Sequence, residues 1–341
     1  MRMRHFRIAL RLAVLIVVTA TMACQRSSPE VVVYTSEDQV FSEPVLKEFE
    51  KLSGIKVRAV FDTEETKSTG VALRIVAERE HPQADVFWAN EPLRPVMLQQ
   101  QGLLEAYRSP SAKDIPDRYR DVDGYWTGFA ARARVIVYNT NLVRAEDAPG
   151  SVEDLTSPRW KGKAGLANPL FGTTTTQLAA LFALWGDETT ARFLDAVKRN
   201  DVKIVTSNGE AKDLVASGEL AWAFTDTDDA SEALEQHKPV AVVYPDQRSV
   251  GTLVMPNAVA LVKGAPHPES ARRLIDYLLS RQVEEQLAKS AAAQMPLHPN
   301  VAVPPNVKPV SAIRDMGVTF ATLGKAIDRV LPYLKQWTGA A

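Results

Sequence analysis

Cysteine is the scarcest residue of consequence in this chain: one, Cys24, in 341 residues. A single cysteine excludes an internal disulfide framework and every Cys-x-x-Cys metal or redox motif. Catalytic signatures are absent as well. There is no Gly-x-Ser-x-Gly elbow, no His-Glu-x-x-His pair and no Gly-x-x-x-x-Gly-Lys-Ser/Thr loop, so no motif points to an enzyme. Neither sign of charge dominates, with 40 Lys and Arg against 41 Asp and Glu. Nothing in that balance suggests a nucleic-acid partner. His81, His237, His267 and His298 share no metal-ligand spacing and stand beside turns or prolines, which reads as surface.

What is present begins with an export segment. Arg2, Arg4, Arg7 and Arg11 form a basic start, and residues 10–20 form an apolar run of signal-peptide length, too short to span a membrane. Thr21-Met22-Ala23-Cys24 follows, small residues before a cysteine in the manner of a bacterial lipobox. The expectation is a signal peptide over 1–23, lipidation at Cys24 and a polar tether over 24–30. Without the four leader arginines, 36 basic residues face 41 acidic ones, a net charge of about −5.

The remaining chain is long enough for two lobes with their own cores. Residues 31–34, 55–61 and 84–88 read as apolar strands, separated by amphipathic stretches at 43–52 and 70–80 and followed by another at 94–101. This β-α-β-α-β-α order signals a mostly parallel sheet covered on both faces. Residues 132–250 repeat the pattern, with strands near 164–167, 202–205 and 220–224 and helices over 172–185, 188–200 and 209–216. Two extended segments, 126–139 and 250–262, are the natural crossings between lobes, and two crossing strands make a hinge. Helices follow at 269–280 and 282–290, then a proline-rich wrapping loop at 295–309 and a helix over 312–338 that contains Pro332. Trp126, Trp160 and Trp185 read as core or hinge packing.

Three of the apolar strands end in polar tips: Tyr34-Thr35-Ser36-Glu37, Ala89-Asn90-Glu91 and Phe224-Thr225-Asp226-Thr227-Asp228. Open α/β sheets place ligands at the carboxyl ends of their strands, so these tips are expected to converge. Glu91, Asp226 and Asp228 are candidate metal ligands, because hard cations take oxygen donors. The same carboxylates suit an organic ammonium, with Tyr34, Trp88 or Trp222 as an aromatic face. Gly172-Thr173-Thr174-Thr175-Thr176 opens a helix, where hydroxyls and free N–H groups attract an anion. Arg132 and Arg134 either add charge for that anion or pair with first-lobe carboxylates. Each acidic tip residue also has the ordinary reading of a helix cap.

Several segments, in order, resemble the periplasmic solute-binding proteins of ABC transporters, and most of all their ferric-iron-binding branch. They are Val33-Tyr34-Thr35-Ser36, Gln83-Ala84-Asp85-Val86-Phe87-Trp88-Ala89-Asn90-Glu91, Ala133-Arg134-Val135-Ile136-Val137-Tyr138-Asn139, Trp160-Lys161-Gly162, Asn208-Gly209-Glu210, residues 262–269 and residues 271–280. The resemblance implies a two-lobed, type II-like periplasmic-binding-protein fold, two α/β lobes joined by two hinge strands. It implies lobe 1 over 31–130 and 255–300, lobe 2 over 131–254 and a C-terminal wrapping segment with helices over 301–341. Function follows as the solute-binding component of an importer, closing by hinge motion on a metal ion with a synergistic anion or on a small cationic or zwitterionic solute. A ligand-sensing or scaffold lipoprotein on the same fold is the alternative. The iron branch carries adjacent tyrosines after the last second-lobe strand, where this chain has Phe224-Thr225-Asp226-Thr227-Asp228-Asp229.

The expected ligand set is Tyr34, Ser36, Glu37, Asn90, Glu91, Thr173, Thr174, Thr175, Asn208, Thr225, Asp226 and Asp228. No covalent cofactor is expected; a bound Fe³⁺ or divalent ion with phosphate or carbonate would be cargo. The expected partners are an inner-membrane ABC permease and, through the lipid anchor, the membrane. A monomer in the periplasm or cell envelope is expected.

Overall fold

The computed structural model describes residues 29–63 and 69–340. The expected signal peptide, Cys24 and nearly all of the tether lie outside the described residues. The first lobe opens with β1 (Glu30–Thr35), α1 (Gln39–Ser53), β2 (Lys56–Phe61), α2 (Thr69–Ala77), β3 (Val86–Ala89), α3 (Leu93–Gln100) and β4 (Leu104–Glu105). Then β5 (Thr127–Asn139) crosses into β6 (Ala164–Ala167), α4 (Gly172–Trp185), α5 (Asp187–Arg199), β7 (Lys203–Val205), α6 (Asn208–Ser217), β8 (Trp222–Asp226), α7 (Thr227–Glu235) and β9 (Val240–Val243). The return strand β10 (Val254–Val262) leads to α8 (Pro268–Leu278), α9 (Arg281–Lys289) and α10 (Phe320–Thr338).

Strand order is β2-β1-β3-β10-β5-β8-β6-β7, with β4 on β10 and β9 on β5. The outer strands pair in parallel on each side, β2-β1-β3 and β8-β6-β7. Strands covered on both faces need continuous apolar runs, and β3, with Val86, Phe87 and Trp88 all buried, has one. Between the parallel sets lie β5 and β10, paired antiparallel. All 13 residues of β5 are buried. Its first half, Thr127–Ala133, pairs with β10, and its second half, from Arg134 to Tyr138, pairs with β8. One strand thus belongs to both lobes, and the change of partner falls between Ala133 and Arg134. The fold is the expected two-lobed periplasmic-binding-protein fold.

The crossing is irregular for a local reason. The β5–β10 register shifts between Pro256 and Asn257, and Ala130 sits at φ +42°, a conformation that costs an L-residue energy and persists only when neighbours hold it. Glu284 on α9 provides one hold by accepting the Ala130 N–H at 2.8 Å. The Asn257 side chain provides another by donating to the Ala130 carbonyl at 2.7 Å.

Helix α10 rests on both lobes. A Cβ on Gly324 would lie 2.2 Å from Val96 Cγ1 on α3, so only glycine permits that approach. Further along, Tyr333 packs edge-on against Phe182 of α4, with ring centroids 5.3 Å apart. The helix begins at Phe320 rather than near residue 312, because Thr319 caps it by accepting the Thr322 N–H. Pro332 is carried inside it. Trp126, Trp160 and Trp185 pack against Phe320, Trp222 and Phe193. His298 corrects a surface expectation: it is 5% exposed and bonded to Glu284, because the loop carrying it folds back over α9.

Candidate functional site: the interlobe cleft

Both lobes end their parallel strands at one seam, and helices start there. In the first lobe β1 leads to α1 and β3 to α3. In the second, β6 leads to α4, β7 to α6 and β8 to α7. Helix starts expose N–H groups and the positive end of the helix dipole. How each start is capped therefore decides what the seam can hold. Ser207 caps α6 by accepting the Glu210 N–H. Glu91 serves α3, accepting the N–H groups of Leu93 and Arg94. Helix α4 begins after Phe171 with no side-chain cap.

A small cavity of about 20 Å³, lined mostly by polar side chains, lies at this seam. Asn90 lines it from the first lobe, and Asn168, Phe171, Gly172, Thr173, Ser207, Asn208 and Asp226 line it from the second. The uncapped start of α4 is therefore part of the wall. Among the described residues, Asp226 is the one carboxylate on that wall. It occupies the N-cap position of α7 without capping it, because its oxygens are engaged sideways. Oδ1 accepts from Arg134 Nη1 at 2.9 Å, and Oδ2 accepts from Thr173 Oγ1 at 2.6 Å and Asn208 Nδ2 at 3.2 Å.

Arg132 and Arg134 are the residues whose weight the sequence understated. They sit two apart on β5, on one face of the strand, with 1% and 0% of their surface exposed. Arg134 also donates to Thr173 Oγ1 at 3.0 Å, Asn208 Oδ1 at 2.9 Å and Thr174 Oγ1 at 3.3 Å. Arg132 donates to Glu37 of the first lobe and pairs with Asp228 Oδ2 of the second at 2.8 Å. It also reaches Asn257 Oδ1 at 3.3 Å. Burial alone would weaken the charge on Arg132; Asp228 and Glu37 outweigh it and hold the guanidinium protonated. The visible signal was a pair of arginines alternating inside an otherwise apolar strand.

Of the expected site residues, Asn90, Thr173, Asn208 and Asp226 reach the cavity. Others stand one layer behind. Ser36 bonds Asn90, Thr174 bonds Arg134, and Glu37 and Asp228 meet at Arg132. Thr225 donates to the Asn208 carbonyl and to Asp229, and Thr175 to the Pro169 carbonyl. Glu91 accepts the Thr176 hydroxyl across the seam at 3.2 Å in addition to capping α3. Burial pushes its carboxyl pKa up, against the pull of Arg94 and of the backbone N–H groups. Tyr34 turns away to bond Glu78, and burial with that bond raises its phenol to about 12. Asp226, Asp228 and Asp229 each offer an oxygen within 4.8 Å of the others, close enough for metal ligation.

Residues 82–320 match the model of a family described as bacterial extracellular solute-binding protein. The iron uptake protein A1 of Synechocystis sp. is 28% identical over 288 residues, 80% of this chain and 79% of its own. A putative 2-aminoethylphosphonate-binding periplasmic protein of Salmonella typhi is 26% identical over 288 residues, 82% of each chain. Among solved structures, iron-bound HitA from Pseudomonas aeruginosa superposes with a TM-score of 0.82 at 24% identity, covering 91% of this chain and 99% of its own.

Proposed function

The chain belongs to the bacterial extracellular solute-binding protein family, and from that premise we propose that its solute is a small organic oxyanion, with an ammonium group accepted beside it. The protein is the binding component of an ABC importer and not an enzyme. Its relatives do not favour the sensing alternative. The observation that carries the ligand proposal is the uncapped start of α4 on the cavity wall, with Arg134 behind it. A phosphonate, phosphate ester or carboxylate there meets free N–H groups, the helix dipole and the Thr173 hydroxyl. The wall's one carboxylate already has its counter-charge in Arg134, which leaves the cavity suited to an anionic or zwitterionic guest. The name of the Salmonella relative supports the same class.

A second reading, Fe³⁺ or a divalent ion with phosphate or carbonate, is favoured by the spacing of Asp226, Asp228 and Asp229 and by the name of the Synechocystis relative. No tyrosine lines the cavity to supply phenolate oxygen. The proposal also includes the division into lobes at 31–130 with 255–300 and at 131–254, the C-terminal segment over 301–341, lipid attachment through Cys24, and delivery by a monomer to a membrane permease.

Thermal unfolding of the chelator-treated protein decides between the two solutes, because a ligand of the native state raises the midpoint by mass action. The expected result is a shift with 2-aminoethylphosphonate or a phosphate ester in the absence of metal, diminished in Asn208→Ala. A shift that requires Fe³⁺ together with an anion, and none with the organic solutes, overturns the proposal.

A further inference from the structure

We propose that Arg132 sets the selectivity of this cleft against metal ions by standing, as a fixed cation, where a metal would join the carboxylates of the two lobes. The inference rests on the organic-oxyanion reading above and adds a cause for it. The carboxylates are in place for a hard cation. Asp226, Asp228 and Asp229 gather their oxygens within 4.8 Å, and Glu37 approaches from the first lobe, where it shares Arg132 with Asp228. Oxygen donors at such spacing are what hard cations take. Two guanidinium groups hold three of these four carboxylates. Arg132 bridges Glu37 and Asp228, and Arg134 holds Asp226 at 2.9 Å.

Arg132 is the more telling of the two. Its partners come from both lobes, and its third, Asn257, lies on the return strand β10. A metal clamped between lobes would supply positive charge and draw carboxylates from each side. This side chain does both, and it is tied to the crossing strand. An arginine keeps its proton at every working pH, so the cation is permanent. A metal entering the same carboxylates would meet a buried like charge that cannot leave.

The experiment compares the purified wild-type chain, Arg132→Gln and Arg132→Lys, all chelator-treated. Each is titrated with Mn²⁺, with Fe³⁺ supplied as citrate and with 2-aminoethylphosphonate, read by calorimetry and thermal unfolding. Arg132→Gln is expected to bind Mn²⁺ at least tenfold more tightly than wild type and to gain a metal-dependent rise in its midpoint. Arg132→Lys, which restores the charge, is expected to lose that gain. If Arg132→Gln does not fold under chelation, recovery of the fold on adding Mn²⁺ is the supporting result, and absence of recovery overturns the inference. A folded Arg132→Gln with wild-type metal affinity also overturns it. Failure of the premise looks different: wild type itself takes Fe³⁺ and ignores the organic solute.

Discussion

The two halves of β5 carry the same side chain into different surroundings. In the first half, Arg132 spends its guanidinium on Glu37, Asp228 and Asn257, which come from both lobes and the second crossing strand. None of these groups lines the cavity. In the second half, Arg134 spends its own on Asp226, Thr173 and Asn208, all within lobe 2 and all on the cavity wall. A single residue, Ala133, separates a group that joins the lobes from one that organises the ligand surface. The difference arises because β5 changes partner between them, from β10 to β8. Residues that point the same way from one strand therefore face different sheets' machinery.

Removing Arg134 tests the ligand half and has the largest expected effect. Arg134→Ala leaves Asp226 buried without its counter-ion, a loss of about 3–5 kcal/mol of stability. Solute affinity is expected to fall by about 100-fold, close to 3 kcal/mol. Arg134→Lys restores charge but not the fork that serves Asp226, Thr173 and Asn208 together. It should recover more stability than affinity. Denaturant unfolding and calorimetry measure the two quantities separately. Undiminished affinity in both variants would erase the distinction between the halves.

Asn257 tests the joining half. It accepts from Arg132 and from Trp88 Nε1 at 3.3 Å, and donates to the Ala130 carbonyl and, at 2.8 Å, to Gln294 Oε1. Asn257→Ala strands buried polar groups on both crossing strands, at roughly 1–3 kcal/mol. Because these bonds hold the crossing, the variant is expected to show a larger radius of gyration in solution scattering without solute, and to return to the wild-type value with it. A fall in stability with no change in radius would make Asn257 a packing residue unconnected to closure.

How much of this could be read before the fold was known depends on the residue. Asn90, Thr173, Asn208 and Asp226 were legible because they stand at the ends of parallel strands or the starts of the helices that follow, where such sheets gather their ligands. Glu91 was legible in position but not in role, since capping α3 and binding a ligand both ask for a carboxylate just before a helix. The partners of Arg132 and Arg134 were not legible. Alternation placed both on one face of a strand, but the change of partner at Ala133 is a tertiary event with no local signature. Tyr34 misled for a related reason: its hydroxyl is taken by Glu78, just beyond α2, and not by the tip formed by Ser36 and Glu37. His298, flanked by Leu297 and Pro299, had the look of a surface loop, and only Glu284 explains why it is inside.

That histidine gives the smallest effect and sharpens the account of the crossing. Glu284 holds the Ala130 N–H and also accepts from the backbone of Leu297 and His298. The His298 ring completes the set, with Nδ1 2.9 Å from Glu284 and Nε2 2.9 Å from the Ser111 carbonyl. A neutral imidazole can donate to only one of these acceptors, so both contacts favour the protonated ring. Burial pulls the His298 pKa down, but the Glu284 and Ser111 bonds outweigh it and leave it above the ordinary value. A raised folded-state pKa stabilises the protein fully below the unfolded value of about 6.5, and that contribution is lost as pH climbs through the folded value. His298→Gln cannot titrate. The stability gap between wild type and this variant, whose glutamine can still serve one of the two acceptors, should be roughly 0.5–1.5 kcal/mol near pH 5.5 and should narrow steadily above about pH 6.5. A gap that stays constant with pH would mean that the crossing is held by Glu284 and Asn257 alone, with the imidazole contributing only its shape.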